Sequence, residues 1–205
     1  MTLESISLEY QKPKQKYFDE MYMQLAVNMS KLSTCSRVQV GAVLVVEDRP
    51  LLSGYNGSPK GHEHCIDIYQ AKFEDYKKSW GETGKVFDEN LGEITFEKYM
   101  QLPSIREEHG RFSRLHEIHA EINIISQAAY KGLATKGGKL YITHSPCNDC
   151  CKSILTAGIK EIVFKELYDR ETEGLEILAK SNVLIRQLKM EDRDIKENIQ
   201  WVQTM

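Results

Sequence analysis

The apolar positions near the N-terminus predict a helix followed by a hairpin. Apolar side chains recur every three or four residues, the spacing of one helix face, at Phe18, Met21, Tyr22, Leu25, Met29 and Leu32. The helix is therefore predicted over residues 17–32. Residues 38–46 are apolar and rich in valine, which is typical of a strand. The Arg49-Pro50 pair ends this run, so we expect residues 51–55 to return as an antiparallel strand, followed by a loop.

The second half of the chain alternates between helical and strand-like patterns. Helices are predicted over residues 120–131, 147–157 and 171–180, and strands over residues 139–144, 161–165 and 183–186. Gly132 and Gly158 end the first two helices. Strands that alternate with helices favour an α/β sandwich in which part of the sheet is parallel.

Three segments lie outside this pattern. Residues 66–114 are polar with weak periodicity, and we interpret them as an insertion that forms a lid or flap, with short helices near 70–80 and 96–102. Residues 1–15 form a polar tail. The tail from Met190 places Ile195, Ile199 and Val202 on one face, as expected for a docking helix. The rest, about residues 17–186, is expected to be the core of a single domain.

Composition narrows the class of protein. The chain has 205 residues, 41% of them hydrophobic and 28% charged, which are ordinary values for a globular protein. A net charge of −3 excludes a global basic field for nucleic acid. No apolar run reaches membrane-spanning length, and residues 1–16 lack the apolar core of a signal peptide. We therefore expect a cytoplasmic protein without membrane or nucleic-acid partners.

Four residues carry the chemistry that this sequence predicts. His119 is followed by Glu121, and 25 residues separate Glu121 from the Cys147-x-x-Cys150 pair. One imidazole and two thiolates can hold zinc and leave its fourth position open for water. Zinc lowers the pKa of that water to about 7, and Glu121, which is not a ligand, can move its proton. This arrangement is typical of enzymes that deaminate cytosine at C4 or adenine at C6.

The alternative to a catalytic zinc is a structural zinc knuckle. A knuckle needs two more Cys or His ligands at short spacing, whereas only the distant His119 suits the Cys147-x-x-Cys150 pair. In addition, His119 and Cys147 each fall at a predicted helix start, where partial positive charge favours a thiolate over a thiol. The catalytic interpretation is therefore preferred.

The motifs resemble one known family. The matching stretches are residues 40–43 (VGAV), 54–59 (GYNGSP), 117–123 (EIHAEIN), 145–150 (SPCNDC) and 157–160 (AGIK). They make the chain similar to the deoxycytidylate (dCMP) deaminases of the cytidine deaminase-like superfamily, and its long insertion resembles the bacteriophage-type members. The likeness covers about residues 17–186.

The resemblance implies a fold, a reaction and partners. It implies a three-layer sandwich with a five-stranded mixed sheet between helices. It implies conversion of dCMP to dUMP and ammonia, which supplies dUMP for thymidylate synthesis. Family members are usually homo-oligomers, often hexamers, that dCTP activates and dTTP inhibits. A viral origin would place the enzyme in the cytoplasm of the host.

Substrate residues follow from the resemblance by position. Asn56 matches the asparagine that binds the sugar, although an Asn-Gly turn is an alternative explanation. Tyr168 matches an aromatic residue placed against the base, although packing alone would also account for it. Ala120, beside His119, is expected in the substrate site, and Gly57 and Ser58 are expected to offer donors to the phosphate. The insertion contributes three further candidates for the phosphate, which are Arg106, Arg111 and Arg114.

The resemblance also implies a second, structural zinc. By position its ligands are Cys35, Cys65, His109 and Glu117. A metal at the two ends of a long insertion would reduce the entropy of the unfolded chain. The alternative is two buried free cysteines, an exposed histidine and a glutamate at a helix start. Three other histidines are rival ligands, namely His62, His64 and His116, and Cys151 is expected only to pack in the core.

Two other classes of function stay open at the level of sequence. The first is a deaminase with another substrate, such as deoxycytidine, dCTP or adenosine in transfer RNA, although the net charge of −3 suits RNA poorly. The second is a non-catalytic protein that binds zinc and nucleotides, which would have no need for the proton-moving Glu121. Three positions carry residues that differ from those of related proteins, namely Ile124, Gln127 and Tyr130. The resemblance therefore implies regulation by dCTP and a hexamer less firmly than it implies the reaction.

Overall fold

A five-stranded mixed sheet organises the molecule. The computed structural model describes residues 13–79, 87–88, 92–168 and 171–190. The strands are β1 Gly41–Val46, β2 Arg49–Tyr55, β3 Phe87–Asp88, β4 Gly92–Glu93, β5 Lys139–His144, β6 Glu161–Glu166 and β7 Leu184–Gln187. The main sheet has the order β2-β1-β5-β6-β7, and β3 and β4 form a separate small pair. Strand β1 is antiparallel to β2 and β5, whereas β5, β6 and β7 are mutually parallel.

Helices cover both faces of this sheet. They are α1 Pro13–Ser30, α2 Cys65–Lys78, α3 Phe96–Tyr99, α4 Pro103–His116, α5 Ala120–Lys131, α6 Asn148–Thr156 and α7 Glu173–Lys180. Alternate residues of each strand face opposite sides. In β1, Val43 packs with α1 in one core cluster, and Leu44 packs with α5, α6 and α7 in the other. The predicted three-layer sandwich with a five-stranded mixed sheet is therefore confirmed.

Helix α1 is fixed to the sheet by a buried polar contact as well as by apolar packing. Asp19 is fully buried and accepts a hydrogen bond of 2.6 Å from the Tyr141 hydroxyl of β5. It also pairs with Arg186 of β7, which in turn binds Glu161. Because each buried charge has a partner, the contact sets how α1 lies on the sheet without leaving an unpaired ion.

The first hairpin turns earlier than the sequence pattern predicts. Glu47 and Asp48 have positive φ values of 52° and 59° and connect β1 to β2, as in a two-residue hairpin turn. Arg49 and Pro50 begin β2, so the antiparallel return strand is confirmed, but the prediction that this pair breaks the chain between the two strands was wrong. Strand β2 lies at the edge of the sheet, which is where proline is tolerated in a strand.

The insertion is more regular than the predicted lid or flap. Helices α2 and α4 each have 14 residues, and α4 was not predicted because its sequence is mostly polar. The insertion has a small core of its own, made of Cys35, Cys65, Tyr69, Phe73, Ile94, Tyr99 and Met100. This core packs the insertion around two of the predicted second-zinc residues.

Two predicted features cannot be compared with the structure. Most of the polar tail 1–15 lies outside the described residues. The predicted docking helix at the C-terminus lies wholly outside them. Among the helices that are described, none combines the length and the apolar character that crossing a membrane requires.

Candidate active site

Two helix starts bring the predicted ligands together. His119 is the residue before α5, and Cys147 is the residue before α6, three residues after the end of β5. The Nδ1 atom of His119 lies 3.5 Å from the Sγ atom of Cys147 and 3.3 Å from that of Cys150. Tetrahedral zinc with usual bond lengths would hold sulfur and nitrogen ligands roughly 3.5 Å apart. The three donor atoms therefore have the spacing of a zinc site.

The electrostatics of this group favour a thiolate. The pKa of Cys147 is lowered to about 4, mainly because the Cys150 thiol donates to its sulfur. The pKa of His119 is raised to about 9, mainly by its hydrogen bond to Cys147. Cys147 is thus ionised at neutral pH, as a metal ligand must be.

Glu121 lies in the first turn of α5 and is almost completely buried. Burial raises the pKa of its carboxyl group, and the nearby charge of His119 opposes that shift. A carboxyl group with a raised pKa exchanges protons readily near neutral pH. Glu121 borders the same cavity as His119 and Cys147, so it faces the space where a substrate would react.

This cavity extends well beyond the ligand group. Its volume is about 290 Å³, and its wall includes Asn56, Ala120, Tyr168 and Arg37 in addition to the residues named above. Ala120 is fully buried beneath it. Tyr168 is half-buried, and its backbone N–H donates to Ser145 Oγ at 2.7 Å. The structure thus brings Asn56, Ala120 and Tyr168 into one site with the candidate zinc ligands.

Asn56 is held rigidly in the cavity wall. Its Oδ1 accepts from the Val40 N–H at 2.8 Å and from Ser33 Oγ at 2.6 Å, and its Nδ2 donates to the Val38 carbonyl at 2.9 Å. The hairpin turn lies elsewhere in the chain, so an Asn-Gly hairpin does not account for this residue. Nδ2 retains a second N–H, which leaves one donor for a ligand.

Gly57 and Ser58 do not reach the cavity as predicted. The Gly57 N–H donates to the Ile118 carbonyl at 3.1 Å, and the Ser58 N–H donates to Thr34 Oγ1 at 3.1 Å. Their amide donors are thus used within the chain, whereas the buried Ser58 hydroxyl has no hydrogen-bond partner among the described residues. Neither residue borders the cavity. A Cβ atom on Gly57 would lie 2.2 Å from Thr34 Oγ1, so this glycine permits a close approach of two segments.

Only one of the three predicted arginines faces the cavity. Arg114 borders it, whereas Arg106 and Arg111 do not. A further arginine, Arg37, was not predicted, and its only signal is its position two residues after Cys35. Arg37 borders the cavity, and its buried Nε atom has no hydrogen-bond partner among the described residues. A buried donor without a partner is costly, which indicates that a ligand completes it.

A second group of potential ligands lies beside the first. Cys35, Cys65, His109 and Glu117 place their ligand atoms within 4.8 Å of one another. The Nε2 atom of His109 is 3.6 Å from Cys35 Sγ and 3.3 Å from Cys65 Sγ. Both carboxylate oxygens of Glu117 are buried without a hydrogen-bond partner among the described residues. A buried carboxylate normally has a partner, so this donor set fits a metal ion.

The rival ligands are placed elsewhere. His62, His64 and His116 are exposed, and His64 lies 3.7 Å from Asp67. Cys151 is buried in the main core, where its Sγ contacts the Pro146 carbonyl at 3.7 Å. The structure therefore separates the five cysteines into two groups of potential ligands and one packing residue.

A mixed sheet that carries a histidine and two cysteines at facing helix starts, with a buried glutamate beside them, defines a zinc-dependent deaminase of nucleobases. The chain belongs to the cytidine and deoxycytidylate deaminase family, since the zinc-binding region of that family matches residues 16–166. Zinc is therefore its cofactor.

Known proteins resemble this chain over most of its length. The deoxycytidylate deaminase of Enterobacteria phage T4 is 35% identical over 156 residues, which are 74% of this chain and 79% of the relative. ComE operon protein 2 of Bacillus subtilis is 29% identical, and the match covers 85% of this chain and 73% of that protein. The crystal structure of dCMP deaminase from cyanophage S-TIM5, in complex with dCMP and dUMP, is 28% identical. The structural match covers 87% of this chain and 100% of the cyanophage chain, with a TM-score of 0.57.

Proposed function

We propose that this protein hydrolyses dCMP to dUMP and ammonia. The observation that carries the proposal is the buried carboxyl group of Glu121, which faces one cavity together with His119 and Cys147, two of the three grouped potential zinc ligands. The relatives that are named deoxycytidylate deaminase, and the related structure with dCMP and dUMP, support dCMP as the substrate.

The proposed chemistry assigns proton transfer to Glu121. His119, Cys147 and Cys150 would hold the catalytic zinc, which would make water nucleophilic at neutral pH. Glu121 takes a proton from the attacking water and delivers it to N3 of the cytosine ring as C4 is attacked. Glu121 then takes the proton of the new hydroxyl group at C4 and passes it to the amino group, so that C4 becomes a carbonyl and the amine leaves as ammonia. One water is consumed, and one carbonyl replaces one amine.

Three cavity residues are proposed to orient the nucleotide. Asn56 donates its free N–H to the sugar, and its other hydrogen bonds fix the direction of that donor. Tyr168 packs against the base, and Ala120 forms the cavity floor. Because these groups are already placed by the fold, little conformational freedom is lost when the substrate binds.

Arg37 is proposed to bind the 5′-phosphate, with Arg114 as a second cation at the cavity mouth. Phosphate is recognised best by guanidinium groups that donate charge-assisted hydrogen bonds. Arg37 has an unused buried donor, whereas Arg114 is exposed. The first should therefore contribute more to affinity.

Ammonia release from a panel of substrates tests this proposal. We expect the purified protein to act on dCMP much faster than on deoxycytidine or dCTP. Arg37→Ala should raise KM for dCMP by about ten- to a hundredfold, as expected for a lost hydrogen bond to a charged group. It should change deoxycytidine turnover little. Arg106→Ala, which removes a half-buried arginine outside the cavity, is the control. Equal rates on dCMP and deoxycytidine would overturn the choice of substrate.

The assembly and its regulation are further proposals. We propose a homo-oligomer that responds to dCTP and dTTP, as the family resemblance implies. Tyr130 is 86% exposed on α5, which leaves a large apolar side chain available for a subunit contact. Light scattering with and without each nucleotide, together with rates at low dCMP, tests both points. We also propose a cytoplasmic enzyme, because five free thiols suit a reducing compartment.

A further inference from the structure

Backbone groups decide the orientation of the Asn56 amide in the cavity wall. The side-chain atom that faces the Val40 N–H at 2.8 Å must be an acceptor, since a backbone N–H can only donate. The atom that faces the Val38 carbonyl at 2.9 Å must be a donor, since a carbonyl can only accept. Oδ1 and Nδ2 are therefore assigned by their partners. Both partners belong to residues 38–40, so by themselves they let the amide follow any movement of that one segment.

Ser33 supplies a third contact to this amide from a different part of the chain. Its Oγ lies 2.6 Å from Asn56 Oδ1 and 3.2 Å from the backbone nitrogen of Cys35. The Cys35 N–H can only donate, so Ser33 Oγ accepts that bond and directs its single hydrogen atom to Oδ1. Oδ1 then accepts two hydrogen bonds, from Ser33 and from Val40, which occupy both of its lone pairs. Asn56 can therefore serve a ligand only as a donor, through the second N–H of Nδ2.

Ser33 itself does not border the cavity, whereas Asn56 does. The Ser33 hydroxyl can thus act on a ligand only through the residues that it contacts. Successive hydrogen bonds in a protein interior polarise one another. The bond that Oδ1 accepts from Ser33 draws electron density away from Nδ2, which makes the free N–H of Asn56 a stronger donor as well as a better oriented one.

We propose that Ser33 is a positioning residue, which makes Asn56 a fixed, donor-only group for the 3′-hydroxyl of the substrate deoxyribose. This inference rests on the proposed function and deepens it. The deoxyribose of dCMP has a single hydroxyl group, whose oxygen can accept the free N–H of Asn56. A nucleotide without that hydroxyl leaves the donor of a buried side chain without a partner, which costs affinity. Ser33 and Asn56 together therefore select nucleotides that carry a 3′-hydroxyl.

Comparison of dCMP with 2′,3′-dideoxycytidine monophosphate tests the role of Ser33, because the two nucleotides differ only in the 3′-hydroxyl. The quantity to measure is the ratio of kcat/KM for dCMP to kcat/KM for the dideoxynucleotide. We expect Ser33→Ala to lower this ratio about three- to tenfold, as for one neutral hydrogen bond, mainly through a higher KM for dCMP. Ser33→Thr keeps the hydroxyl and should keep the ratio. Ser30→Ala is the matched control, since the Ser30 hydroxyl donates to the Val27 carbonyl at 2.9 Å and lies outside the cavity.

A double variant shows whether Ser33 acts through Asn56. Asn56→Ala should itself remove most of the preference for dCMP, and Ser33→Ala added to it should cause no further loss. Calorimetric binding of both nucleotides to the Glu121→Gln protein gives the same preference as a ratio of affinities, without turnover. The inference can therefore fail while the proposed reaction stands, and it is tested even if the protein releases no ammonia from dCMP.

Three results would overturn the inference. The first is an unchanged ratio in Ser33→Ala, or an equal loss of kcat/KM for both nucleotides, which would leave Ser33 a purely structural role. The second is a loss in Ser33→Thr as large as that in Ser33→Ala, which would show that the hydroxyl is not the group responsible. The third is a further loss when Ser33→Ala is added to Asn56→Ala, which would place the effect outside Asn56.

Discussion

Burial decides what the side chain of Glu121 can do. The same carboxyl group on the surface would be ionised and solvated, and it would hold its proton too weakly to return it to a substrate. In the cavity its pKa is raised by the loss of water, and the charge of His119 opposes this shift. Burial matters for Arg37 as well, because its buried Nε has no hydrogen-bond partner in the described part of the chain and could donate to an anion.

Glu121→Gln should remove the reaction and keep the metal. The amide has the size of the carboxylate but cannot accept a proton from water, so we expect kcat to fall by about 10²- to 10⁴-fold. Zinc content by mass spectrometry should not change. Glu176→Gln removes one exposed charge on α7 and serves as the control. Loss of zinc in Glu121→Gln would instead assign this residue a role in metal binding.

The raised pKa of Glu121 also predicts the acidic side of the pH profile. Only the carboxylate can take the proton, so kcat/KM should fall as pH falls through the pKa of Glu121. Because burial raises that pKa, the inflection should lie above the ordinary value of 4.5. The measurement is kcat/KM for dCMP across the acidic range, with zinc content followed in parallel. A constant value down to the ordinary pKa would contradict the assignment.

At the scale of elements, the sequence predicts helices and strands that carry one apolar face. Helix α5 begins and ends as predicted, because apolar residues line one side and Gly132, with φ of 65°, stops it. Helix α4 was missed because it has few apolar positions, and its one buried residue is His109. The catalytic ligands were likewise predictable from spacing, whereas Arg37 was not, since its role depends on which residues fold around it.

The contact between α1 and β1 depends on Gly41. A Cβ atom there would lie 2.0 Å from the Ala26 carbonyl oxygen and 2.4 Å from the Ser30 nitrogen. Since both atoms belong to the backbone, no side-chain rotation relieves the clash. Gly41→Ala should therefore lower the free energy of unfolding by about 1–3 kcal/mol or more.

Gly110→Ala provides the comparison for Gly41→Ala. Gly110 lies within α4, and its added Cβ would be 3.9 Å from the nearest side-chain atom. Alanine favours a helix by roughly 0.5–1 kcal/mol over glycine, so stability should rise slightly. Chemical denaturation in the presence of zinc measures both variants. If the two variants had the same free energy of unfolding, α1 would be able to move away from β1 without loss of stability.

At the scale of the whole molecule, one short segment connects the two groups of potential zinc ligands. Glu117 belongs to one and His119 to the other, and Ile118 between them pairs with Gly57. Helix α4 carries His109 and also borders the cavity through Gly110, Ser113 and Arg114. A metal ion held by the second group would therefore fix one wall of the substrate cavity.

Cys65→Ser should test this link. Replacement of a thiolate ligand should reduce zinc from about two ions to about one per chain. We expect KM for dCMP to rise more than kcat falls, since the wall loosens while His119, Cys147 and Cys150 keep their places. Cys151→Ser changes the buried cysteine that lies outside both groups, and it should retain both ions. An unchanged zinc count in Cys65→Ser would contradict the proposed second site.

The chain leaves this second group at Cys65 and returns to it at His109, so the whole excursion through α2 and α4 starts and ends at one point. A segment of this kind can be replaced as a unit, because both of its ends stay in the same place. Its length can drift during evolution, or be altered by a protein engineer, without a change in the positions of the two residues at its ends. We therefore expect variation in size among related enzymes to concentrate between these two residues, and a sensor domain grafted there would act on the catalytic cavity through α4.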